Sequence, residues 1–112
     1  MEKGDIVLVP FPFTDLLGVK FRPALVLISG KNYVTLGFIS TKLFWEEETD
    51  LTLEPTLENG LKKKSLVKLS KIATLDIHLI QGKIGSLSTD NIRELDKNLI
   101  QLFQLDSSTV QQ

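Results

Sequence analysis

Cysteine is absent from this chain, which excludes disulfides and thiolate metal sites. Histidine occurs once, as His78, too little for a zinc site built on imidazoles. No apolar run approaches the roughly 20 residues that a membrane helix requires; the longest, Ile6–Val9 and Ala24–Ile28, are strand-length. A strong charge of one sign is missing as well. The formal net charge is −1, whereas a dedicated duplex-binding protein is usually basic with one charged face. Any nucleic-acid role therefore has to come from a local patch. There is no glycine-rich phosphate loop, paired-histidine motif, calcium loop or Gly-x-Ser-x-Gly elbow, so the usual enzyme signatures give nothing. Glu2, Gly4 and Asp5 interrupt any basic-then-apolar signal segment at the start, and cytoplasmic residence without membrane association is the default expectation.

What is present is the balance of a soluble globular protein. Hydrophobic residues make up 42% and charged residues 24% of 112 positions, enough for one domain around one core. Residues 5–9 read as a strand that Pro10 and Pro12 end, because proline cannot donate to a ladder. Residues 23–28 are continuously apolar, a strand expected to be buried on both faces. Ser29-Gly30-Lys31-Asn32 signals a hairpin turn into a third strand, 33–40, where Gly37 marks a bulge or a close backbone approach. Residues 42–49 read as a polar loop with Phe44-Trp45 embedded. Residues 50–54 alternate as a half-buried strand, 65–69 form a fifth strand that 72–74 extend, and 79–85 form a weak sixth broken by Gly82. From Ile92 the period changes: Leu95, Leu99, Ile100, Leu102, Phe103 and Leu105 trace one helix face. Ser88 or Thr89 caps it, and Asp90 suits its first turn. The pattern predicts a mainly β domain over 1–105, a small barrel or sandwich with a packed C-terminal helix, and a frayed tail over 106–112.

Charges and hydroxyls are unevenly placed. The loop from Pro10 to Asp15 carries two prolines, two phenylalanines and a Thr-Asp pair, and Arg22-Pro23 follows at the start of a buried strand. A stiff, partly apolar loop mounted on strands suits a binding or catalytic edge. Arg22 is either a strand-edge charge that snorkels to water or a guanidinium able to grip phosphate. Ser40-Thr41-Lys42 ends the third strand with two hydroxyls and a cation. Alternation places Lys68 on a polar strand face with Leu66 and Ser70, where a charge is ordinarily solvated. Glu46-Glu47-Glu48 with Asp50 form an acidic run; Lys62-Lys63-Lys64, Lys68 and Lys71 form a basic one, and a solvated loop accounts for each. His78 reads as a surface residue of the 76–79 connection.

Together these features resemble the PemK/MazF family of toxins from bacterial type II toxin–antitoxin systems. The carriers are Gly4-Asp5-Ile6-Val7, the block Arg22-Pro23-Ala24-Leu25-Val26-Leu27, the run Phe38-Ile39-Ser40-Thr41-Lys42, and Gly60 followed by Ser65 through Leu75. The likeness is collinear from Gly4 to the helix near Leu105. It implies an SH3-like barrel ending in a helix, assembled as a two-fold homodimer. It implies a metal-independent, cofactor-free endoribonuclease that cuts single-stranded RNA at short sequences, with an acidic, partly disordered antitoxin segment as partner. Such chemistry uses the 2′-hydroxyl as nucleophile and needs a base, a cation for developing charge and a proton for the leaving oxygen.

Carried over residue by residue, Arg22 matches the family arginine that binds phosphate and stabilises charge. Ser40 matches a threonine or serine contacting the scissile phosphate. Lys68 falls where some members carry a second catalytic arginine, and supplies a point charge instead of a fork. Two residues further, where some members have a catalytic aspartate, this chain has Ser70; Asp15 is the nearest carboxylate in sequence to replace it. The RNA-binding set implied by the resemblance is Phe13, Thr14, Lys20, Thr41, Lys42, Lys64, Ser70 and Lys71, with Phe11 and Phe13 in the loop over the groove. Three readings stand: a ribonuclease toxin, a family member that binds RNA or an antitoxin peptide with weakened or no catalysis, and an SH3-like protein-interaction module.

Overall fold

The computed structural model describes residues 1–10 and 20–106. The described residues form strands β1 (Asp5–Pro10), β2 (Phe21–Ser29), β3 (Tyr33–Ser40), β4 (Leu51–Leu53), β5 (Ser65–Asp76) and β6 (Gly82–Ser86), followed by helix α1 (Thr89–Leu102). Short 3-10 turns occupy Leu43–Trp45 and Ile77–Leu79. All pairings are antiparallel, in the order β4-β5-β3-β2-β1-β6.

Both faces of the central strands are apolar, because neighbouring residues in β1 and β2 alternate between two cores. Ile6, Leu25 and Leu27 join Ile39, Leu51, Val67 and Leu69 in one core, against which Ile92, Leu99 and Leu102 of α1 pack around the fully buried Leu95. Val7, Val9, Ala24, Val26, Val34 and Leu36 form the other core. The sheet curls towards the first core. The turn after β4, one edge strand, packs on β6, the other edge strand: the Ser86 amide donates to the Glu58 carbonyl at 3.0 Å. Asn59 builds that turn, its Oδ1 accepting from Thr56 and Leu61 amides and its Nδ2 donating to the Glu54 carbonyl. Gly60 closes it with φ +71°, and a Cβ there would lie 2.1 Å from the Ile84 carbonyl oxygen. The result is a six-stranded curled half-barrel with a C-terminal helix, the architecture expected from the sequence.

Several local expectations change in detail. The run 23–28 is buried only from Ala24 to Leu27; a register shift between Val26 and Ile28 turns Ile28 outward, 53% exposed. The expected fifth strand and its extension are one strand. The register jumps from Gly37↔Ile72 to Phe38↔Lys68, so Leu69, Ser70 and Lys71 bulge out of the ladder. That is the irregularity Gly37 marks. Residues 79–81 are not strand, since the Asp76 carboxylate caps the His78 amide and winds Ile77–Leu79 into a turn. Ser88 is the helix cap, accepting from the Asn91 amide. Phe103 and Leu105 are exposed, because the helix ends at Leu102 and Gln104 takes φ +55°.

Candidate functional site

Strand register brings the first candidates together. Ala24 pairs with Phe38 and Phe38 with Lys68, while Ser40 pairs with Leu66. Counting two residues back from Ala24 sets Arg22 level with Ser40 on the adjacent strand. Val9, Arg22's partner on β1, belongs to the second core, as does Ala24. Arg22, Ser40 and Lys68 therefore share one sheet face on β2, β3 and β5. At about 4.8 Å between strands and 3.3 Å per residue, the Arg22 and Lys68 backbones lie about 12 Å apart. Arg22 is exposed and Ser40 half-buried. The Ser40 hydroxyl accepts from the Lys42 amide at 3.1 Å, which folds the strand end back. Thr41 and Lys42 extend from it into solvent.

Lys68 differs from the solvated charge expected of its strand face. Its side chain is only 9% exposed. Its ammonium donates to Asp50 Oδ2 at 2.6 Å, to the Trp45 carbonyl at 2.8 Å, and pairs with Glu47 Oε1 at 3.1 Å. Three acceptors thus take the three N–H donors of an ammonium. Burial alone would lower the Lys68 pKa, but the bonds to Asp50 and Glu47 outweigh it and hold the group above its ordinary value. The acidic run is therefore no free loop. The Glu47 amide donates to Asp50 Oδ2 at 2.8 Å, Asn98 of α1 donates to the Asp50 carbonyl at 3.1 Å, and Gln101 donates to Glu48 at 2.9 Å. Asp50 is fully buried by side chain, and its Oδ1 has no hydrogen-bond partner.

Ser70, on the bulge, donates to Glu47 Oε1 at 2.8 Å. This hydroxyl first, and Lys68 second, hold the Glu47 carboxyl below its ordinary value. Sequence reasoning missed Glu47 and Asp50 as members of this cluster. A signal existed in Asp50 standing just before an apolar strand, but the β4–β5 register that aligns it with Lys68 is a tertiary fact.

The other candidates are spread more widely. The Lys42 ammonium lies 5.0 Å from the Trp45 ring centroid, and Trp45 meets Phe44 edge-to-face at 5.2 Å. Lys64 precedes β5 and faces Glu54 at 3.6 Å; Lys20 and Lys71 are exposed. Asp15, Phe13 and Thr14, with Phe11, lie outside the described residues. His78 is 89% exposed beside Asp76, at the β5 end that pairs with Tyr33 and so at the far end of β3 from Ser40. Among the described residues no cluster of His, Asp and Glu could hold a metal ion, and no helix is long and apolar enough to cross a membrane.

Comparison with known proteins agrees with this architecture. Mycobacterium tuberculosis toxin MazF-mt6 superposes with a TM-score of 0.75 at 22% identity, over 91% of this chain and 98% of that one. A chain of the MazE–MazF structure from Deinococcus radiodurans gives 0.72 at 16% identity, over 95% of this chain and 97% of that one. A mycobacterial endoribonuclease solved with its cognate antitoxin gives 0.71 at 12% identity, over 95% of each chain. These likenesses establish the fold. No curated protein sequence matches the chain significantly. The family described as PemK-like, MazF-like toxin of type II toxin–antitoxin systems matches residues 2–103, and with nearly the whole chain covered, this protein belongs to the PemK/MazF toxin family.

Proposed function

We propose that this chain is an endoribonuclease toxin that cuts single-stranded RNA without a metal, working as a two-fold homodimer and restrained by an acidic antitoxin segment. The observation that carries the reading is Arg22 level with Ser40 on adjacent strands of one face, within a toxin-family fold. The 2′-hydroxyl attacks the adjacent phosphorus. Arg22, with its planar fork, binds the phosphate and offsets the charge that builds on its oxygens. Ser40 contacts the same phosphate. Lys68, whose donors are taken by its own chain, acts by holding the 45–50 segment in place instead of gripping RNA. Phe13, Thr14, Lys20, Thr41, Lys42, Lys64, Ser70 and Lys71 supply the RNA-facing surface.

The test is incubation of the purified protein with a long single-stranded RNA in chelator. Discrete cuts are expected, and Arg22→Ala should lower the rate by about 10²-fold or more. A second reading, RNA binding without cleavage, is favoured by one observation: Ser70 offers no carboxylate and Lys68 no spare donor. Salt-sensitive binding without cuts would select it.

A further inference from the structure

Attack by a 2′-hydroxyl needs a proton acceptor, and the described part of the face offers one carboxylate in a suitable state. Asp50 is sealed from solvent, whereas the Glu47 side chain is 52% exposed. Glu47 is tethered through one oxygen only. Its Oε1 takes both the Ser70 hydroxyl and the Lys68 ammonium, and its Oε2 has no hydrogen-bond partner among the described residues. The tether is itself anchored, because Lys68 also holds Asp50 and the Trp45 carbonyl. A half-exposed carboxylate with one oxygen fixed and the other without a partner among the described residues is oriented for proton transfer, not merely paired. It stands beside Lys68, two residue-pairs along the sheet from the row of Arg22 and Ser40.

We infer that Glu47 is the general base of this site, supplied by the β3–β4 connection and aimed by Ser70 and Lys68. The inference rests on the ribonuclease reading. In the step, Glu47 Oε2 takes the 2′-hydroxyl proton as the O2′–P bond forms and the P–O5′ bond breaks. The departing 5′-oxygen takes a proton from water, and the hydroxide so formed removes the proton from Glu47. The products are a 2′,3′-cyclic phosphate and a 5′-hydroxyl end. Ser70 and Lys68 are positioning residues here. The charged groups facing Glu47 are Lys68 and Lys71 from β5, with Glu46, Glu48 and Asp50 on its own segment; α1 presents the neutral Gln101, bound to Glu48.

Single-turnover cleavage of a long single-stranded RNA, followed against pH for wild type, Glu47→Gln and Glu47→Asp, tests this. Glu47→Gln is expected to bind RNA normally and cut about 10² to 10⁴-fold more slowly. Its rate should climb about tenfold per pH unit as hydroxide replaces the missing base, while the wild-type rate is flat near neutrality. Glu47→Asp should recover part of the rate. Thermal melting and the emission of Trp45 report whether each variant is folded. A folded Glu47→Gln that cuts at the wild-type rate with the wild-type profile overturns the inference and leaves the ribonuclease reading intact. Loss of the flat profile in Asp15→Asn in place of Glu47→Gln does the same. Absence of cuts by the wild-type protein removes both.

Discussion

Lys68 is bound on three sides near the site. Its ammonium compensates a fully buried Asp50 and the tethered Glu47. Lys68→Met would leave the Asp50 charge buried and unpaired, and an expected loss of about 3–5 kcal/mol follows, read as a lower urea midpoint with unchanged slope. Gly60 is constrained as well. At φ +71° with the Ile84 carbonyl only 2.1 Å from an added Cβ, Gly60→Ala meets both backbone strain and a backbone clash. It should cost more than about 1 kcal/mol, whereas Gly82→Ala, where an added Cβ meets nothing within 4 Å, should not. At this scale the sequence is legible where chemistry is local. Arg22 before Pro23 and Ser40 at a strand end are visible as motifs. The partnership of Lys68 with Asp50 spans 18 residues and two strands, so a run of acids read as a solvated loop conceals a buried anchor.

Among the elements, the β3–β4 connection is the one whose behaviour the charges control. Glu47 is held below its ordinary 4.5, by the Ser70 hydroxyl and then Lys68. A depressed carboxyl stabilises the fold fully above 4.5, and the stabilisation is lost as pH falls through the lower folded value. Lys68 is opposed by burial but raised above 10.5 by Asp50 and Glu47. Its contribution is complete below 10.5 and is lost as pH rises through the higher folded value. The connection should therefore be constant across neutrality and loosen at both extremes. Trp45, the one tryptophan of the chain, sits on it and is 58% exposed, so its emission should change only at those extremes. A transition near neutral pH would contradict this assignment. Strand and helix periods were readable here because each buries a regular face. The bulge at Leu69–Lys71 and the turn at Ile77–Leu79 were less so, since a register shift and an Asp76 cap decide them.

For the whole molecule, the curl of the sheet links fold to site. Central strands apolar on both faces call for two cores, and the turn around Asn59 and Gly60 draws the β4 side onto β6. The strand register within that sheet puts Arg22, Ser40 and Lys68 on one face. The architecture was legible from strand spacing and one terminal helical pattern. The pairing order, which makes a site of residues far apart in the chain, was not, because nothing local encodes it. The most direct measurement of the central claim is the chemistry of RNA ends after incubation in chelator. Discrete cuts bearing 2′,3′-cyclic phosphate and 5′-hydroxyl ends are expected with wild type and are lost with Arg22→Ala. An intact RNA, or cuts bearing 5′-phosphates and persisting in Arg22→Ala, would contradict that claim.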